Sequence, residues 1–229
     1  MSEAAGVTIP AAGVILGGDL AIPRHPTGIV LFAHGSGSSR FSHRNRNVAA
    51  TLQRAGFATL LFDLLTDEEE ADDVATGMHR FDVSLLAERL LGATDWLRTR
   101  PDTRALRVGF FGASTGAAAA LIAAATRPDA VAAVVSRGGR PDLAARHLPS
   151  VRAPTLLIVG EFDPTVVEMN LVAKRMMRCA CEFVTVVGAS HLFEEPGTLA
   201  EVARLAEDWF VRHLAHAPVT PGVPVTVNP

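Results

Sequence analysis

The chain has 229 residues, 48% of them hydrophobic, and a near-balance of charge, with Lys+Arg 21 against Asp+Glu 24 for a net charge of -3. That length fits one large α/β domain, and the balance argues against a nucleic-acid partner, which needs a basic surplus on one face. No apolar run is long enough to span a bilayer, Met1–Gly6 carries no basic region followed by an apolar stretch, and there is no Tyr to serve a base-stacking platform.

The first apolar pieces, Gly13–Leu16 and Leu20–Pro23, flank Gly17-Gly18-Asp19 and predict an antiparallel hairpin at a sheet edge. Ile29–Ala33 then reads as a strand. It is followed by the polar loop His34-Gly35-Ser36-Gly37-Ser38-Ser39 and a helix around Val48–Leu52. Ala58–Phe62 is a second strand ending at Asp63, and the acidic run Asp67–Asp73 falls in the loop beyond it. Leu86, Leu90, Ala93 and Leu97 share one face of the next helix. Val108–Phe111 runs into Gly112-Ala113-Ser114-Thr115-Gly116 and then into the helix-forming Ala117–Ile122.

Further strands are expected at Ala130–Val135, Thr155–Val159 and Phe183–Val187, with room for only a short helix between Pro141 and Pro154. Cys179 and Cys181 stand two residues apart, too close to close a useful disulfide loop. They read as reduced thiols at the start of a strand, as in the cytoplasm. A last helix places Leu199, Val202, Ala206 and Trp209 on one face. The segment 217–229 has Pro at 218, 221, 224 and 229 and favours an extended tail after a domain spanning 1–216. The continuously apolar strands imply cover on both faces, hence a mostly parallel sheet of seven to eight strands with right-handed crossovers.

Sites on such a sheet form outside the carboxyl ends of the strands. Three residues there could work together. Ser114 sits on a strand–turn–helix whose glycines permit a strained backbone, with a helix N-terminus aimed at the centre where negative charge would develop. A serine hydroxyl needs a base at neutral pH, and His191 follows the last strand. The base needs a carboxylate to fix its tautomer, and Asp163 follows the strand before it. His34, His43 and His79 compete with His191, and Glu161 and Asp142 with Asp163. Asp63 reads as a structural cap for its loop.

Taken in order, His34–Gly37, Gly112–Gly116, Gly160-Glu161-Phe162-Asp163-Pro164 and Ala189-Ser190-His191-Leu192-Phe193 resemble the α/β-hydrolases, and within them the dienelactone-hydrolase-like branch, from about Gly28 to the last helix. The resemblance implies Ser114 as nucleophile, Asp163 as acid and His191 as base, with an oxyanion hole from the Thr115 amide and one in the 35–36 loop, Ser36. One departure stands out: dienelactone hydrolases use a cysteine where this chain has Ser114, which points to ordinary ester or lactone hydrolysis. The short 141–154 segment implies a minimal lid and small to medium acyl groups. No cofactor or metal is implied, and the expected partner is a small-molecule ester or lactone, with a homo-oligomer left open. A thioesterase, peptidase, acyltransferase or perhydrolase could use the same triad, as could a silent ligand-binding version of the fold.

Arg40, Arg137 and Arg140 come from strand-end loops bordering the same cleft. They could hold an anionic part of the substrate or tie loops together, for instance to the acidic run 67–73.

Overall fold

The computed structural model describes residues 4–214; the Pro-rich segment 217–229 lies outside them. Eight strands form one sheet in the order β1-β2-β4-β3-β5-β6-β7-β8. They are β1 (Ala5–Ala11), β2 (Val14–Ala21), β3 (Ile29–Ala33), β4 (Ala58–Phe62), β5 (Val108–Ala113), β6 (Ala133–Arg137), β7 (Thr155–Gly160) and β8 (Cys181–Val186). β1 pairs antiparallel with β2 and β2 with β4; every other pairing is parallel. β3 through β7 are buried along their whole length, whereas β8, at the edge, is not.

Helices cover both faces. On one, α1 (His43–Arg54) and α6 (Thr198–His213) pack Val48, Leu52, Val202, Ala206 and Trp209 against Phe32, Phe111 and Val135. On the other lie α3 (Val83–Thr99), α4 (Thr115–Thr126), α5 (Pro164–Met176) and the 3-10 run Pro141–Ser150. Leu86, Leu90, Ala93 and Leu97 of α3 are all buried, as their spacing predicts. Burying each such leucine contributes about 1.5–3 kcal/mol. α4 is enclosed between α3, the 3-10 run and the sheet, and its alanine sequence suits that position because small side chains allow close approach on every side.

Three local expectations are corrected. The edge hairpin exists, but its turn is Ala12–Gly13, where both residues have positive φ (45° and 82°). Consecutive positive φ values match the twist of a two-residue hairpin. Gly17-Gly18-Asp19 lies inside β2, where Gly18 pairs with Val7 on one side and Phe62 on the other. Glycine in mid-strand marks a close approach, here of the Ile9 and Phe62 side chains.

The acidic run 67–73 is not loop but the body of α2 (Asp67–Thr76). Thr66 and Glu69 form a reciprocal capping box, and four acidic residues in the first turn complement the helix dipole. The sixth strand starts later than expected, at Ala133, because Pro128–Ala130 closes a 3-10 turn.

Cys179 and Cys181 are free; Cys181 begins β8 and Cys179 lies two residues before it. Burial raises the pKa of both thiols, and with Cys179 beside it Cys181 is pushed up to about 12. Neither is an activated nucleophile. No helix among the described residues is long and apolar enough to cross a membrane.

Candidate active site

The turn between β5 and α4 holds Ser114 at φ 50°, ψ -120°, a region non-glycine residues rarely occupy. Its neighbours explain how it is held there. A Cβ on Gly112 would sit 2.4 Å from Ala117 Cα, and one on Gly116 would sit 2.3 Å from the Ala33 carbonyl oxygen. Only glycine fits at either place, so strand and helix close tightly and the serine is left at the apex. The Ser114 N–H donates to the Arg137 carbonyl (3.2 Å), and the Ser114 carbonyl accepts from Ala117 and Arg140 (3.1 and 3.2 Å). The strained backbone is therefore pinned from both sides.

His191 and Asp163 are brought together. Their Nδ1 to Oδ2 separation is 2.6 Å, with the imidazole about 40% exposed and the carboxylate about 15%. Asp163 also caps α5, its Oδ1 accepting from the Val166 N–H at 3.4 Å, which fixes the carboxylate that orients His191. Gly138, the residue after Arg137, lies against the His191 ring, where a Cβ would be 3.5 Å from Cε1. The end of β6 thus touches the nucleophile through one residue and the base through the next. Ser114 Oγ and His191 share no direct hydrogen bond in this structure; such contacts commonly tighten only when substrate is present.

Ser36 and Thr115 also meet, their hydroxyls 3.1 Å apart. Neither backbone N–H has an acceptor among the described residues. Gly35 packs against the Ser114 side chain, where an added Cβ would be 3.1 Å from Ser114 Cβ. The arrangement offers two free amides beside the serine, one of them at the start of α4.

The rival residues have other work. His34 is buried; its Nδ1 faces the Gly35 carbonyl (3.0 Å) and its Nε2 accepts from the Leu64 N–H (3.0 Å), so it anchors the 34–39 loop, and burial lowers its pKa. His79 pairs with Asp72, and His43 is exposed on the first turn of α1. Glu161 holds the 188 turn by accepting from the Gly188 N–H at 2.7 Å. Asp142 pairs with Arg140.

The rim arginines divide. The Arg40 backbone N–H and guanidinium both bind Asp63, which confirms Asp63 as an anchor for the loop. Arg140 forks onto Asp142 at 2.9 and 2.7 Å. None of the three reaches the acidic helix α2, whose partners are instead Arg80 to Asp73 and Arg89 to Glu69. Arg137 is buried, with Nε and Nη1 unpartnered.

Some features of the site carry no sequence signal. Phe193 adopts φ 56° and is buried two residues after His191, while the Glu195 carboxylate accepts from the Ser190 N–H at 3.0 Å. Both shape the base's loop. A capping or helix-start pattern could have revealed α2, whose first turn helps line a cavity of about 330 Å³ with His34, Arg40 and Asp63.

Residues 16–215 match the dienelactone hydrolase family. Two Mycobacterium tuberculosis proteins, from strains CDC 1551 / Oshkosh and ATCC 25618 / H37Rv and provisionally named phosphoribosyl transferases, are 59% identical over 208 residues. The match covers 91% of this chain but 46% of theirs, so the chain spans about half the length of these relatives. A crystal structure of a dienelactone hydrolase from Anabaena variabilis ATCC 29413 superposes with a TM-score of 0.91 at 59% identity, covering 93% of this chain and 99% of that one. Est1E from Butyrivibrio proteoclasticus shares the fold at a TM-score of 0.76 and 16% identity, covering 90% of this chain and 98% of that one. The sheet is that of the α/β-hydrolase fold, and with the match running over nearly all of its length, the chain belongs to the dienelactone hydrolase family.

Proposed function

We propose that this protein is a serine hydrolase that cleaves small to medium carboxylic esters or lactones through an acyl-enzyme. The observation that carries the proposal is the strained Ser114 turn beside a His191–Asp163 pair at 2.6 Å. Ser114 Oγ attacks the ester carbonyl while its proton passes to His191 Nε2. Asp163 accepts from Nδ1–H, fixing the tautomer and stabilising the imidazolium. The oxyanion is held by the Ser36 and Thr115 amides, each donor worth roughly 3–4 kcal/mol in the transition state. Collapse of this intermediate expels the alkoxide, which takes the proton from His191. Water, deprotonated by the same histidine, then attacks the acyl-enzyme and releases the acid.

Ser114, where dienelactone hydrolases use a cysteine, supports ordinary esters over the dienelactone itself, and among the described residues the segment between β6 and β7 carries only the short 3-10 run 141–150. The phosphoribosyl transferase name belongs to proteins more than twice the matched length, and we assign that activity to the part of them outside the match.

A hydrolysis screen over p-nitrophenyl esters, thioesters and lactones tests the reading. Turnover of short oxygen esters or lactones that disappears in Ser114→Ala is the expected result. Turnover undiminished in that variant would exclude Ser114 as nucleophile. A folded wild-type enzyme inert on the whole panel would favour a binding role instead.

A further inference from the structure

The four residues that end β6 reach all three members of the proposed triad. The Arg137 carbonyl accepts from the Ser114 N–H, and the Arg140 N–H donates to the Ser114 carbonyl, both at 3.2 Å. Between them Gly138, at φ 52°, lies against the His191 ring. Gly139 supplies the remaining link. Its carbonyl accepts from Asn170 Nδ2 at 3.0 Å, and Asn170 stands on α5, the helix that Asp163 caps. Residues 137–140 are thus a strap between nucleophile turn, base and acid helix. The strap has no slack at Gly139, where a Cβ would meet Ser136 Oγ and, at 2.8 Å, the Ala117 methyl group.

Asn170 is an odd residue for its place. It is fully buried in the interior of α5, where asparagine is a poor helix former. Its amide nitrogen forks onto two carbonyls, Gly139 at 3.0 Å and Val166 at 2.8 Å. Since both neighbours are acceptors, the nitrogen and not the oxygen must face them. Both donors are therefore spent, while Oδ1 is buried without a partner. A buried polar atom left idle is unfavourable, and a leucine would avoid it. What leucine lacks is the donor for Gly139. The Val166 carbonyl lies within the helix's own ladder, so the bond to Gly139 is the one that α5 does not otherwise provide. Among the described residues, Asn170 is the only side chain that donates to the main chain of 137–140. Val166 closes the circuit, because its N–H serves Asp163 and its carbonyl accepts from Asn170.

We propose that Asn170 is a positioning residue that locks the 137–140 strap to the acid's helix, and so holds Ser114, His191 and Asp163 in one register. The proposal rests on the hydrolase reading above. Asn170 touches no reacting atom and acts through Gly139. Without its donor, strap and helix can shift separately, and a displacement of about 1 Å at a reacting group costs up to about 100-fold in rate.

The test compares Asn170→Leu and Asn170→Asp with wild type on p-nitrophenyl acetate, under conditions where urea unfolding shows each protein to be native. Rates are expressed per active site, counted by labelling to completion with a fluorophosphonate. In Asn170→Leu, kcat and kcat/KM per site should fall together by about 10-fold or more, as for an interaction that matters in the transition state. A merely structural role would lower stability and leave the rate per native site unchanged. Asn170→Asp adds a pH signature. Protonated, the introduced carboxyl can still donate to a carbonyl; ionised, it faces two carbonyl dipoles with a negative charge. Burial keeps it protonated to higher pH than an exposed carboxyl. The ratio of its kcat to that of wild type should therefore fall as pH rises from about 6 to about 9, while the Asn170→Leu ratio stays flat. Wild-type kcat per site in Asn170→Leu, or an Asn170→Asp ratio that does not change with pH, would overturn the proposal. Should Asn170→Leu fail to fold, the Asn170→Asp ratio decides alone. A wild type inert toward both ester and fluorophosphonate would overturn the hydrolase reading and this proposal with it, whereas an active wild type beside an unaffected Asn170→Leu overturns this proposal only.

Discussion

The Ser114 turn and the arginine rim are neighbours built on opposite principles. The turn is shaped by excluded volume: Gly112 and Gly116 leave no space for a Cβ, and the serine between them is forced to φ 50°. Its glycine–serine pattern lies in five consecutive residues, although Ala33, Arg137 and Arg140 complete it in space. The rim is shaped by charge, and its partners can be far apart in the chain. Arg40 is answered by Asp63, 23 positions on, and Arg44 by Glu194, 150 positions on. Arg137 is answered by nothing among the described residues. Sterics written locally can be read from a sequence, whereas a charge shows its role only when the fold supplies or withholds its partner.

Substitutions at the turn should therefore abolish function or folding, and those at the rim should cost modest stability. Ser114→Ala is expected to lower ester kcat by about 10³- to 10⁶-fold with unfolding unchanged, measured by steady-state kinetics beside urea denaturation. Asp163→Asn keeps the shape but not the tautomer, and a fall of about 10³- to 10⁴-fold in kcat is expected. Gly116→Ala drives a methyl group into the Ala33 carbonyl and should cost about 3 kcal/mol or more in urea unfolding. A cost under 1 kcal/mol would mean the turn is looser than described.

On the rim, Asp63→Asn strands a largely buried Arg40 and should cost about 1–3 kcal/mol, whereas Asp142→Asn, one-third exposed with its arginine, should cost under about 1 kcal/mol. Equal costs would erase the distinction between anchor and surface pair.

A pH dependence tests the structural role of His34. Burial lowers the His34 pKa below 6.5, so the native state resists a proton that the unfolded chain accepts. Stability is then full above about pH 6.5 and falls as pH drops toward the native pKa, by at most about 1.4 kcal/mol per pH unit. His213, also lowered by burial, acts in the same direction. His34→Gln should flatten the slope between pH 7 and 5 without removing it, as read by urea unfolding across that range.

The sequence made much of the sheet legible because its strands are continuous apolar runs and its main helices keep one apolar face. It misplaced the hairpin turn because Gly17-Gly18 looks like a turn, while the real one uses Ala12 at positive φ, which a sequence gives no reason to expect. It missed α2 because an acidic run reads as solvated loop, although Thr66 and Glu69 stand at capping-box spacing. At the site, Ser114, Asp163 and His191 could be chosen from their strand-end positions together with the motif order shared with the α/β-hydrolases. Which arginine lacks a partner could not, since that depends on Asp63 and Asp142 reaching Arg40 and Arg140 in space.

The central claim is that Ser114 is an activated nucleophile. Treating the folded protein with a fluorophosphonate and locating the adduct by peptide mass spectrometry tests it most directly. A single stoichiometric phosphonyl group on Ser114, absent from Ser114→Ala and slowed in His191→Ala, is the expected result. An unlabelled Ser114 in folded wild-type protein, or equal labelling with His191 removed, would contradict it.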